Sequence, residues 1–235
     1  MTCKTGLLIA SQPLRNIIGQ QCTKFRIQEV LDKSKILICN FAKGIIGEDA
    51  SALLGSMVLT SIQSSTLFRA TYSPEKRIPF YVYVDEMHSF VTLSFADILA
   101  ESRKYGLSLF LAHQYIEQVD ERVRSAIFGN VGTLISFRIG AEDAKCLVKE
   151  FHPVFDEIDL VNLPKYSMYL KLMIDGAMSR PFSAMTIQPK PFTRSYKEEM
   201  IKTSRKHFAT NIHEVLQAQN KKNENNRARQ QGLFK

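Results

Sequence analysis

The chain has 235 residues, 45% hydrophobic and 23% charged, with a formal net charge of +8. Such a composition marks a globular protein of one large or two small domains, long enough to bury a real core. It also excludes several classes: no apolar stretch approaches the ~18 residues a bilayer crossing needs, and the start lacks the layout of a secretory signal. The four cysteines, Cys3, Cys22, Cys39 and Cys146, form no C-x-x-C pair. That argues against a zinc or disulfide framework and favours a reducing compartment, the cytoplasm. The charge is uneven. From Lys190 to Lys235, eleven Lys and Arg stand against four Glu, so this stretch carries +7 and residues 1–189 only +1.

Residues 1–23 are weakly patterned, with Pro13 and Gly19 as punctuation. The run Lys35-Ile-Leu-Ile-Cys-Asn-Phe41 reads as a buried strand. Gly47-Glu-Asp49 opens a helix with acids in its first turn, and helical spacing continues from Ala50 to Arg69. Phe80 to Val84 is a second strand, continuously apolar, as a strand covered on both faces should be. A helix over Phe95–Tyr105 ends at the natural C-cap Gly106, and Leu107–Ala112 forms the third strand. Ile116–Phe128 is helical, Thr133–Arg138 the fourth strand, and Glu142–Phe151 another helix stopped before Pro153. Tyr166–Ile174 alternates up to the turn signal Asp175-Gly176, with Pro181–Ile187 as its hairpin partner. Ser195–Gln219 reads as one amphipathic basic helix, and Asn220 onward as a low-complexity, frayed end. Alternation of strand and helix from Lys35 to Phe151 predicts an α/β fold, a mostly parallel sheet flanked by helices.

In such a sheet ligands bind beyond the carboxyl ends of the strands. The second strand ends there in Asp85-Glu86, the third in His113-Gln114 and the fourth in Arg138. An acid pair leaving a central strand is how nucleotide-hydrolysing cores work: Asp85 helps hold Mg²⁺, and Glu86 takes the proton of the attacking water. Gln114 can donate and accept at once, and so can orient that water. The bland alternative is an ordinary strand-to-loop boundary with solvated acids. Arg138 is expected to have a partly buried stem. It serves either as an arginine finger reaching a neighbouring subunit's phosphate or as a salt-bridge partner of Glu142 or Asp143. Asp85-Glu86-x-His88 offers metal-ligand types without the two-histidine spacing of zincins. No G-x-x-x-x-G-K-[ST] phosphate loop occurs. Lys43-Gly44-Ile-Ile-Gly47 has neither its spacing nor its Lys-Ser/Thr and is expected to form a tight turn. The basic tail either binds nucleic acid or is a solvated, partly disordered terminus.

These residues resemble the C-terminal half of the ATPase domain of the HerA–FtsK superfamily of DNA-pumping motors, above all the conjugative coupling proteins of type IV secretion. The matching stretches are Phe80-Tyr-Val-Tyr-Val-Asp-Glu-Met, Leu99-Ala-Glu-Ser-Arg-Lys-Tyr-Gly-Leu107 and Leu111-Ala-His-Gln-Tyr115. Further matches are Phe128-Gly-Asn-Val-Gly-Thr133, Phe137-Arg-Ile-Gly-Ala-Glu-Asp-Ala144, Phe151-His-Pro-Val-Phe155 and Asp159-Leu-Val-Asn-Leu-Pro164. The likeness spans roughly residues 15–190.

The resemblance implies a RecA-like P-loop NTPase core over residues 1–189 and a basic helical tail over 190–235. It further implies ATP and Mg²⁺ as cofactors, DNA as substrate and a ring-forming homo-oligomer, typically a hexamer. In that frame Asp85 and Glu86 are the Walker-B pair, Gln114 the sensor and Arg138 a trans-acting arginine. The family's phosphate loop lies on an earlier strand, so the resemblance also implies that Met1 opens in mid-domain and that activity needs a separate phosphate-loop half. A non-catalytic DNA- or ring-binding remnant is the alternative. Either form would reside in the cytoplasm or, through partners, at the cytoplasmic face of the membrane.

Overall fold

The structure, a computed structural model, describes residues 11–20, 22–92 and 95–232, together with residue 6. The chain divides into two units, one formed by residues 58–191 and the other by residues 1–57 and 192–235. The helices in chain order are α1 (Gln12–Ile18), α2 (Ile27–Asp32), α3 (Lys43–Ile46), α4 (Glu48–Phe68), α5 (Phe95–Glu101), α6 (Glu121–Asn130), α7 (Ala141–Phe151), α8 (Glu157–Val161), α9 (Lys197–Phe208) and α10 (Ile212–Gly232). The strands are β1 (Phe80–Val84), β2 (Leu107–Leu111), β3 (Thr133–Ser136), β4 (Ser167–Ile174), β5 (Ala177–Met178) and β6 (Phe182–Met185). No helix among the described residues is long and apolar enough to cross a membrane.

The unit of residues 58–191 is α/β. Strands β1 and β2 run parallel, Phe80 opposite Leu107 and Val84 opposite Leu111. Between them the chain crosses over through α5 and a 3₁₀ turn over Ser102–Tyr105, which Gly106 ends in the left-handed conformation, φ 75°. One face of the pair, with Val82, Val84 and Leu107, is buried, as are Phe95 and Ile98 of α5 and Val123 and Ile127 of α6. The other face carries Tyr81, Tyr83 and Phe110 in solvent, the Tyr83 and Phe110 rings stacked at 4.5 Å.

Two arginines fix the amino ends of these strands. Arg69, 1% exposed, donates from Nη1 to the carbonyls of Ile78 (2.8 Å) and Tyr105 (3.3 Å). Arg77 donates from Nη1 to Lys104 O at 2.8 Å and from Nε to Arg69 O at 3.1 Å.

A second, antiparallel sheet forms around β4, which pairs with β3, β6 and the two-residue β5. The β4–β5 connection is Asp175-Gly176, with φ of 50° and 82° and Ile174 opposite Ala177. Those two positive φ values are the geometry a two-residue hairpin takes to match strand twist. A core of Ile116, Ala144, Leu147, Phe151 and Leu160 joins α7 and α8 to the chain leaving β2; Ile139, Phe155 and Tyr169 pack against it.

In the unit of residues 1–57 and 192–235, Leu14, Val30, Leu31, Ala50 and Val215 are buried. Gln219 Nε2 donates to Arg15 O at 3.1 Å, Thr210 Oγ1 to Gln20 Oε1 at 3.1 Å, and Phe25 meets Phe208 edge-on at 5.7 Å.

The fold class follows the pattern, but three elements depart from it. Residues 35–41 are not a buried strand. They have no regular structure, and Ile36 and Ile38 are 90% and 71% exposed. An apolar β-type run specifies burial but supplies no partner, and no strand among the described residues pairs with it. The strand at Thr133 does form but belongs to the antiparallel sheet, Thr133 opposite Leu172 and Ser136 opposite Tyr169. The hairpin's β4 offers it an edge that periodicity alone does not reveal. The basic helix expected over 195–219 is two helices broken at Ala209–Asn211, and the second runs on through Asn220 to Gly232. Asn211 caps it with its side chain, Oδ1 accepting from His213 N at 2.9 Å. Cys22, Cys39 and Cys146 are free thiols, while Cys3 lies outside the described residues.

Candidate active site

Strand β1 stops because the backbone turns sharply at its end. Glu86 adopts φ 50° and ψ 45°, a left-handed conformation uncommon for a residue with a side chain and costing ~1 kcal/mol or more. The turn is held on both sides. Ala112 N donates to Val84 O at 2.9 Å, Met87 N to Ala112 O at 3.0 Å, and the Met87 side chain is buried. The ends of β1 and β2 are therefore tied, and the residues beyond them meet.

There the Gln114 Nε2 amide donates to Glu86 Oε1 at 2.5 Å. The other carboxylate oxygen of Glu86, Oε2, lies 3.5 Å from His88 Nδ1. Asp85 is exposed; its Oδ1 accepts from Glu86 N at 3.0 Å, which leaves Oδ2 turned to neither backbone nor side chain among the described residues. His113, beside Gln114, is half-buried. Burial pushes its imidazole below the ordinary 6.5, an effect opposed chiefly by the negative charge of Asp143. The ring is therefore neutral at pH 7. Asp143, 5% exposed at the start of α7, accepts from Ile116 N through Oδ1 at 3.0 Å, pinning the loop after Gln114.

The sequence-predicted residues are thus partly assembled. Asp85, Glu86 and Gln114 come together at one end of the parallel pair. Arg138 follows β3 of the other sheet, and its stem is not partly buried as expected; the residue is exposed. A four-residue edge strand leaves the residues just beyond it without cover. Neither predicted ion pair forms, for Glu142 bonds Lys145 at 2.7 Å and Asp143 is engaged with Ile116. Sequence reasoning set His88 aside as a metal-ligand lure, gave His113 no role, and missed that both lie near the acid. The available signal was their position at the same strand exits. Asp143 entered only as a partner for Arg138, whereas its short carboxylate near the start of a helix reaches a neighbouring loop instead.

No cluster of three or more His, Cys, Asp or Glu side chains suited to a metal occurs among the described residues. Asp85 nonetheless fits Mg²⁺, which takes one or two carboxylates and completes its shell with water and phosphate oxygens. Nothing equivalent fits the nucleotide phosphates, because the G-x-x-x-x-G-K-[ST] cradle is absent from the sequence. A cavity of about 330 Å³, lined by Thr66, Asp97, Glu101, Tyr105 and Leu107 among others, opens at the amino end of β2, away from the acid pair.

Residues 79–148 match the family described as the TraM recognition site of TraD and TraG. No curated protein matches the sequence. Among solved structures, the plasmid coupling protein TrwB with ADP and Mg²⁺ is similar at a TM-score of 0.57 and 16% identity, covering 73% of this chain. TrwB with a non-hydrolysable ATP analogue matches at 0.55 and 16%, and the unbound monoclinic form at 0.56 and 14%. The chain spans about 45% of the length of the TrwB chains it matches. At these identities the structural likeness speaks for fold: a small parallel sheet with flanking helices, as in the RecA-like TrwB core. Residues 79–148 thus carry a pattern similar to that of TraD and TraG, within a fold similar to the C-terminal part of the RecA-like TrwB core.

Proposed function

We propose that the chain is part of an ATP-driven motor that moves DNA, contributing the acid pair and sensor to a site whose phosphate-binding half comes from elsewhere. The observation that carries this reading is the Gln114–Glu86 hydrogen bond across the tied carboxyl ends of two parallel strands. Glu86 acts as the general base for the attacking water. Gln114 sets the direction of that carboxylate and reports the state of the site. Asp85 holds Mg²⁺, which when bound would offset phosphate charge. Arg138, exposed and without an ion pair among the described residues, is available to reach a phosphate on a neighbouring ring subunit. The test is ATP hydrolysis by the chain with a phosphate-loop half supplied, with and without DNA. Glu86→Gln is expected to lower DNA-stimulated turnover by about a hundredfold. The reading fails if no DNA-stimulated turnover appears and Glu86→Gln changes nothing.

A second reading, a non-catalytic module that binds DNA or an intact ring, is favoured by the missing phosphate loop and by α9, which buries none of its residues. It predicts DNA affinity that falls steeply with salt. Neutralising Lys202, Arg205 and Lys206 to Gln should weaken binding and flatten the salt dependence. Affinity unchanged by those substitutions counts against it.

A further inference from the structure

Glu86 faces two nitrogen donors but is fully bonded to only one. Gln114 Nε2 occupies Oε1, while Oε2 looks toward His88 Nδ1 at 3.5 Å. His88 Nδ1 is shut off from solvent and has no hydrogen-bond partner among the described residues. A buried polar atom without a partner is costly, and the acceptor 3.5 Å away is the carboxylate that the proposed reaction depends on. The ring's position is built in by the chain. The left-handed Glu86 is followed by a 3₁₀ turn over Met87–Ser89, with Met87 buried as its anchor and Ser89 N donating to Glu86 O at 3.0 Å. That turn folds the side chain two residues beyond Glu86 back onto its carboxylate. The tautomer follows from electrostatics: a lone pair on Nδ1 would face the lone pairs of Oε2, whereas an Nδ1 proton would be attracted to them.

Resting on the reading of Glu86 as the base, we infer that His88 is a positioning residue which donates from Nδ1 to Glu86 Oε2 and, with Gln114 on Oε1, holds the carboxylate by one donor on each oxygen. At 3.5 Å the two atoms are within ion-pair reach, and catalytic hydrogen bonds of this kind tighten in the complex with substrate. Held at both oxygens, Glu86 cannot rotate about its terminal bond, and each oxygen keeps one lone pair free for the water proton. Without His88 the carboxylate would pivot on Gln114 alone. His113 lies close enough to sense both His88 and Glu86 and, being neutral, adds no charge to the arrangement.

Nitrogen NMR of the ¹⁵N-histidine-labelled full chain tests the donor directly. His88 should show the Nδ1–H tautomer, and Glu86→Ala should shift it toward Nε2–H while leaving His152 unchanged. An Nε2–H tautomer that is indifferent to Glu86→Ala overturns the inference. Turnover with the phosphate-loop half supplied gives a second arm wherever Glu86→Gln lowers hydrolysis as expected. There His88→Leu should lower kcat by about tenfold or more with KM nearly unchanged. His88→Asn, whose Nδ2 takes the place of Nδ1, should recover most of the loss. Equal losses in the two variants would assign His88 to the packing of the turn and reject the positioning role. If the wild-type chain supplied with a phosphate-loop half shows no hydrolysis, the motor reading fails and the tautomer measurement alone decides the position of His88.

Discussion

At Arg69 a guanidinium sits in the interior with the job of a scaffold. Its Nη1 links carbonyls at the entrances to both parallel strands, and its own carbonyl accepts from Arg77. Arg69→Met keeps much of the volume but strands those carbonyls, and should cost about 2–4 kcal/mol by chemical denaturation. His113 makes a pH-dependent contribution of definite sign. Its folded value is depressed below 6.5, so the unfolded chain binds the proton more readily. Stability is fully present above 6.5 and is lost as pH falls from 6.5 toward the folded value. Melting temperatures should decline over that interval, and His113→Gln should flatten the decline. At the same scale, Asp85, Glu86 and Gln114 were legible because a strand exit converts sequence position into spatial convergence. Arg138 was not, because its strand joined a different sheet.

Among the elements, the turn after β4 and the return of β6 along it are the most completely written in the sequence, though not the two-residue β5 between them. Asp175-Gly176 requires positive φ twice, and Gly176 at 82° has no Cβ to resist it. Gly176→Val should destabilise by about 1–2 kcal/mol, measured by thermal or urea unfolding, while leaving the acid pair in place. Helix α4 and the β1–α5–β2 crossover were equally readable, since apolar period and the Gly106 cap state them locally. What periodicity cannot state is the partner of an edge. The run from Lys35 to Phe41 has strand composition but no ladder, and it leaves Ile36 and Ile38 in solvent. An uncovered apolar segment of this kind should drive self-association. Sedimentation is expected to show concentration-dependent oligomers that Ile36→Lys with Ile38→Lys reduces, with no loss of melting temperature.

For the molecule as a whole, charge and chemistry are segregated. Seven of the eight net positive charges lie from Lys190 onward, while the acids and Gln114 lie in residues 58–191. That second unit is one uninterrupted stretch of chain, whereas the first is made of both ends of the sequence. The order of synthesis then matters. A growing polypeptide finishes residues 58–191 while residues 192–235 are still to be translated. The unit bearing Glu86 can collapse as it clears the ribosome, but α1 must wait for α10, whose Gln219 bonds the Arg15 carbonyl. During that delay α1 lacks its partner, and a nascent chain stalled before residue 212 should be a chaperone client through residues 12–57 rather than through its acid-bearing core.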